Sequence, residues 1–221
     1  PVIFCMDRSG IAGEDGPTHH GALDIAYLRC IQDMIVTAPK NGNEFRHLMY
    51  TALNIKDKPF SIRYPKANSV EFDEEGQIEL LPIGSWEICR QGKDIAILAV
   101  GPMVYTALLA AEKLLKYDLE VEVVNCRFIK PMDIACLENI KNKFSNIITI
   151  EEGTINGGFG DGVSSWILEN GYVGHLKRLG LPDSFVEHGS RDHLLKSLGL
   201  DEEGLVLTVK NILNLEKEFT V

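Results

Sequence analysis

The chain has 221 residues, 45% of them hydrophobic and 24% charged, with a formal net charge of −10 and a pI near 5.1. That length and apolar content suit one large globular domain or two small ones. The acidic balance argues against a non-specific nucleic-acid binder, which needs basic surface to displace counterions, and no apolar run of about 18 residues is present to span a membrane.

The first element is Val2–Met6, a continuous apolar run that reads as a buried parallel strand opening into a loop at Asp7-Arg8. The run starts at once, with no initiator Met and no signal-peptide architecture before it, so Pro1 is expected to lie inside a longer parent protein. The loop, "DRSGIAGEDGPTHHGALD", is hinged by Gly10, Gly13, Gly16 and Gly21 and rich in titratable groups. Next come a helix over Ala22–Ile31, a strand at Met34–Ala38 closed by Pro39, a helix over Asn43–Leu53 with Phe45, Leu48, Met49 and Leu53 at helical spacing, and a strand at Phe60–Tyr64 stopped by Pro65. Helices that precede each later strand imply a parallel sheet. Residues 67–82 are acidic, carry Gly76 and Pro82 and read as an inter-domain linker with room for one short strand.

A second unit follows. Strands are predicted at Asp94–Val100, Glu120–Cys126, Asn146–Ile150 and Leu176–Leu179. Helices are predicted over Val104–Tyr117, Ile134–Phe144, Gly157–Asn170, Arg191–Leu198 and Glu202–Leu213. The whole is an α/β chain of two parallel-sheet units: residues 1–68, a linker at 69–82, and 83–221. The five cysteines, Cys5, Cys30, Cys89, Cys126 and Cys136, are odd in number and never spaced C-x-x-C. Four sit among apolar neighbours or in predicted helix, as buried thiols do. The set reads as reduced, in a cytoplasmic protein, with no zinc site.

Open α/β sheets bind ligands outside the carboxyl ends of their strands, and the opening loop leaves such an end. His19 titrates near neutrality and suits proton transfer; Asp15, four residues earlier, is placed to orient or tune it. Arg8 suits a two-pronged grip on phosphate or carboxylate. Arg63 and Lys66, at the end of the third strand, would share that sheet edge and an anion pocket with Arg8. A solvated, turn-rich loop explains the same composition equally well. "GGFGDGVSS" reads as a tight strand-to-helix turn, since its glycines miss the G-x-G-x-x-G spacing. Its Gly160-Asp161-Gly162 looks like the start of a thiamine-diphosphate metal motif, but no Asn stands in "EHGSRDH", where the second ligand should fall. Glu151 and Glu152 read as edge or interface residues. His188 and His193 read as structural, with Ser190 as a helix N-cap.

The loop string, with "APKNGNEFRHLMYTAL", "IRYPKAN", "LPIG", "RFIKPMD", "EEGTINGGFGDGV" and "LGLPDSFVEHGSRDHLLKSLGLDEEG", resembles the 1-deoxy-D-xylulose-5-phosphate synthases over essentially the whole chain. These are transketolase-like enzymes dependent on thiamine diphosphate. The resemblance implies the last part of a pyrimidine-binding domain followed by a complete C-terminal domain. It implies that thiamine diphosphate, Mg2+ and the glutamate that activates the cofactor are held upstream in the full-length parent, so none is expected on this chain. It implies a homodimer acting on pyruvate and glyceraldehyde 3-phosphate, and no activity for the 221 residues alone. By position, His19 and Asp15 are the expected catalytic residues and Arg8 a phosphate contact. Lys66 stands where a second phosphate-binding arginine is expected, and it keeps the charge but loses the fork. Transketolases and 2-oxoacid dehydrogenase β-subunits share a shorter version of the loop motif, and a non-catalytic dimerising module is the reading from another class.

Overall fold

The computed structural model describes residues 1–215, so residues 216–221 of the predicted second unit lie outside the described part. In chain order the elements are β1 (Ile3–Met6), α1 (Asp24–Cys30), β2 (Ile35–Thr37), α2 (Gly42–Asn54), β3 (Phe60–Arg63), β4 (Glu87–Arg90), β5 (Ile95–Ala99), α3 (Met103–Leu114), β6 (Val121–Asn125), β7 (Phe128–Lys130), α4 (Ile134–Lys143), β8 (Asn146–Thr154), α5 (Phe159–Glu169), β9 (His175–Leu181), α6 (Arg191–Ser197) and α7 (Glu202–Ile212). Short polar side chains start four of these helices, where regular backbone leaves amide hydrogens unpaired. Asn41 caps α2 by accepting from Glu44 N, Asp133 caps α4, Ser190 caps α6 and Asp201 caps α7.

Two sheets form, in the orders β1-β3-β2-β7 and β4-β6-β5-β8-β9. Pairing is parallel except for β2 with β7 and β4 with β6. Neither β4 nor β7 is legible in the sequence. Both are short edge strands whose pairing partners, not their own patterns, make them strands. β7 lies in the second half of the chain yet extends the first sheet, so the two halves share backbone hydrogen bonds. They also share a core: Ile25, Val36, Leu48 and Phe60 pack in one cluster with Trp86, Leu98, Phe128 and Phe159.

β1 is an edge strand, with Phe4 and Cys5 exposed, because only β3 pairs with it among the described residues. The 67–82 segment forms no strand. Among the cysteines only Cys126 is buried: Cys5 and Cys30 are exposed, since β1 lacks a second neighbour and Cys30 falls on the outer face of α1. No described helix is long and apolar enough to cross a membrane.

Candidate active site

The opening loop leaves the carboxyl end of β1 and folds back on itself. Gly10 N–H donates to Gly21 O, and Gly21 N–H lies 3.0 Å from Arg8 O and 2.9 Å from Gly10 O. A Cβ on Gly21 would lie 2.5 Å from Arg8 O, so the closure needs glycine there. Arg8 itself has φ +55°, a left-handed conformation uncommon for a long side chain. Sparsely populated backbone of this kind concentrates at functional sites.

Arg8 and Lys66 meet on one carboxylate. Lys66 Nζ lies 2.8 Å from Asp15 Oδ2 and Arg8 Nε 3.5 Å from the same oxygen, while an outer nitrogen of Arg8 reaches Asp7 at 2.9 Å. The Lys66 hydrogen bond, helped by the two positive charges, holds the Asp15 carboxyl below its usual range against a smaller push from burial. Asp7, Arg8, Tyr64 and Lys66 line an open groove of about 690 Å³. His19 is exposed on the same loop, with Nδ1 3.0 Å from the Thr18 hydroxyl. No hydrogen bond joins it to Asp15, whose partners are Lys66 and Arg8.

Arg63 does not reach this groove. It is 2% exposed and forms a two-pronged ion pair with Asp24, at 2.7 and 3.1 Å, while donating to Glu152 O at 3.1 Å. It points inward because β3 is buried along its whole length and Asp24, at the start of α1, lies behind the loop. The expected three-cation pocket therefore has two members.

Glu151 and Glu152, expected at an edge or interface, are buried and hold the loop and the Gly-rich turn. Glu152 accepts from Ile11 N–H at 3.0 Å and pairs with Arg191. Ile11, the lone large apolar residue of the first loop turn, is fully buried in the core cluster of the second unit. That isolated isoleucine among glycines is the sequence signal that could have shown the anchor. Glu151 accepts from Phe159 N–H (2.9 Å) and Gly160 N–H (2.8 Å) at the start of α5. The Gly-rich turn is thus a strand-to-helix turn, and its amide cradle holds the chain's own carboxylate. His188 and His193 are both exposed, outside any packed core. Sequence reasoning assigned no role to His20, which bridges two loops: Nδ1 accepts from Ala12 N–H at 3.0 Å, and Nε2 lies 3.4 Å from Glu187 O.

Burial raises the Glu151 carboxyl from 4.5 to about 7, although two amide bonds and the charges of Arg63 and Arg29 oppose it. A folded-state value above the unfolded one stabilises the protein fully below about pH 4.5, and this contribution is lost as pH rises towards 7. Denaturation of wild type and Glu151→Gln across that window is the measurement. The wild type is expected to lose about 3 kcal/mol relative to the variant between pH 4.5 and 7.

Domain models agree with this architecture. The transketolase pyrimidine binding domain matches residues 1–70 and the transketolase C-terminal domain matches residues 84–205. The chain belongs to the transketolase family. Among curated relatives it is 46% identical to the 1-deoxy-D-xylulose-5-phosphate synthase of Aquifex aeolicus (strain VF5) over 213 residues, which is 96% of this chain and 34% of that protein. To the synthase of Geobacillus sp. (strain WCH70) it is 42% identical over the same shares. The chain spans about a third of the length of these relatives. Among solved structures, a split-gene transketolase described as an inactive beta4 tetramer superposes with a TM-score of 0.81 at 27% identity, covering 97% of this chain and 67% of that one. A transketolase mutant from Pichia stipitis, at 21% identity and a TM-score of 0.75 over 98% of this chain and 31% of that one, shares the fold.

Proposed function

We propose that this chain forms the substrate-facing wall of a 1-deoxy-D-xylulose-5-phosphate synthase, which joins pyruvate to glyceraldehyde 3-phosphate with loss of CO2. The observation that carries the reading is the convergence of Arg8 and Lys66 on Asp15 at the carboxyl ends of β1 and β3, in a chain 46% identical to such a synthase. Arg8 and Lys66 share Asp15, and Arg8 also pairs with Asp7, so the two cations are held side by side and a substrate phosphate must displace a carboxylate to meet them. In this reading the phosphate takes the place of the Asp15 carboxylate, with Arg8 as fork and Lys66 as point charge. His19, exposed beside them, moves a proton to or from the substrate oxygen.

Thiamine diphosphate, with Mg2+, would supply the electron sink for decarboxylation. The residues of this chain do not fit either group. The amide cradle of the Gly-rich turn is filled by Glu151, and among the described residues no group of three or more His, Cys, Asp or Glu is placed to hold a metal ion. Both groups belong, in this reading, to the remaining two thirds of the synthase. The 221 residues then comprise the end of a pyrimidine-binding domain (1–68), a linker (69–82) and a C-terminal domain (83–221). The working enzyme is a homodimer in the cytoplasm, a setting that five free cysteines support.

Steady-state assay of the full-length enzyme with pyruvate and glyceraldehyde 3-phosphate tests this. His19→Ala is expected to lower kcat by about 10²-fold or more. Arg8→Ala is expected to raise KM for glyceraldehyde 3-phosphate about tenfold, the loss of one charged hydrogen bond. Failure of the full-length enzyme to form product from these two substrates refutes the function, and unchanged kcat in His19→Ala refutes that residue's role. The 221-residue chain alone is expected to be inactive and to show no micromolar affinity for thiamine diphosphate by calorimetry.

A further inference from the structure

A cavity of about 480 Å³ lies between the opening loop and the end of β9, a size usual for small-molecule sites. Pro17, His20 and Ala22 form one wall; Thr154, Leu181 and Phe185 belong to the other. It opens at the carboxyl ends of the parallel strands β8 and β9, where α/β sheets place their ligands. None of Arg8, His19 and Lys66 lines it, so it is distinct from the anion groove.

Its walls are mostly carbon, with two hydrogen-bonding groups not fully used. Thr154 is 5% exposed and its N–H donates to Ala22 O at 2.7 Å, yet its hydroxyl makes no hydrogen bond among the described residues. A hydroxyl with no protein partner at a cavity wall is free to donate to a guest. His20 accepts at Nδ1 from Ala12 N–H, which leaves the ring hydrogen on Nε2, and the acceptor there, Glu187 O, is a long 3.4 Å away. No lysine or arginine lines the cavity and Asp183 does, so an anion is disfavoured.

We propose that this cavity is a second ligand site, which takes a neutral, compact aromatic or branched aliphatic molecule bearing one carbonyl oxygen. The apolar body fills the space against Pro17, Leu181 and Phe185. The oxygen accepts from the Thr154 hydroxyl, with His20 Nε2–H as the second donor on the wall. The site stands independently of the synthase reading, because it needs neither cofactor nor substrate.

The test is a titration of the 221-residue chain followed by amide chemical shifts, with acetophenone as probe, ethylbenzene as the analogue without oxygen and benzoate as the anion. Acetophenone is expected to bind saturably with a dissociation constant of about 1 mM, reasonable for nine non-hydrogen atoms. It should shift Ala22, Thr154 and Leu181. Ethylbenzene and benzoate should bind about fivefold more weakly or worse, the worth of one hydrogen bond. Thr154→Val should weaken acetophenone about fivefold and leave ethylbenzene unchanged. Ala22→Phe should abolish binding of both by filling the cavity. Ser184→Trp, at the exposed rim, serves the same purpose if Ala22→Phe fails to fold. Absence of saturation by about 10 mM acetophenone, ten times the expected constant, overturns the proposal. So does equal affinity in Thr154→Val and in the filled variants.

Discussion

Arg63→Met is expected to destabilise the chain by about 3–5 kcal/mol, because it leaves Asp24 as an uncompensated buried charge. Arg63 is the hub between the two units. Its guanidinium holds Asp24 at the start of α1 and the backbone oxygen of Glu152 at the end of β8. Methionine keeps much of the volume and removes every donor. The paired variant Arg63→Met/Asp24→Leu removes both charges and is expected to recover most of the loss, since apolar replacement of a buried ion pair is often neutral or better. Urea denaturation of the three variants measures this. A double variant as unstable as the single one would show that Arg63 acts through its bond to the Glu152 oxygen and not through the ion pair.

Gly10→Ala is the second large effect, expected to cost about 3 kcal/mol. Two terms add. Gly10 has φ +74°, and a Cβ in that region costs about 1–2 kcal/mol. The same Cβ would lie 2.4 Å from Glu152 Oε2 and 2.6 Å from Glu152 Cβ, so the side chain must withdraw from Ile11 N–H and leave a buried amide unpaired, about 1–3 kcal/mol more. Gly171→Ala is the control. Its φ of +75° is nearly the same, but nothing lies within 4 Å of the new Cβ. It should cost only the backbone term, about 1–2 kcal/mol. Equal losses at the two positions in thermal or urea melts would show that the Glu152 contact holds nothing in place.

Both effects sit on Arg63, Glu152 and Ile11, whose partners lie far away along the chain. Arg63 was expected beside Arg8 and Lys66 because a strand end with three cations looks like a rim. Residues on one strand alternate in facing, and sequence spacing alone does not say which face is covered. Here both faces of β3 are covered, so its arginine is buried while Lys66, just past the strand, is not. Glu151 and Glu152 looked like edge carboxylates because no partner stands near them in sequence. Their partners are the start of α5, Ile11 and Arg191, the last two distant along the chain.

What the sequence determined by itself is the alternation of strands and helices, the Ser190 cap of α6, the loop at the carboxyl end of the first strand, and the charged side chains that this loop carries. These are local properties: apolar period, glycine and proline punctuation, and side-chain type. Tertiary structure alone decided that β7 joins the first sheet, that Arg63 and both glutamates turn inward, that Asp15 bridges two cations rather than orienting His19, and that a half-satisfied Thr154 faces a cavity. Each depends on which distant groups come within hydrogen-bond reach. Burial then amplifies the consequence, because a polar group removed from water must find a partner in the fold.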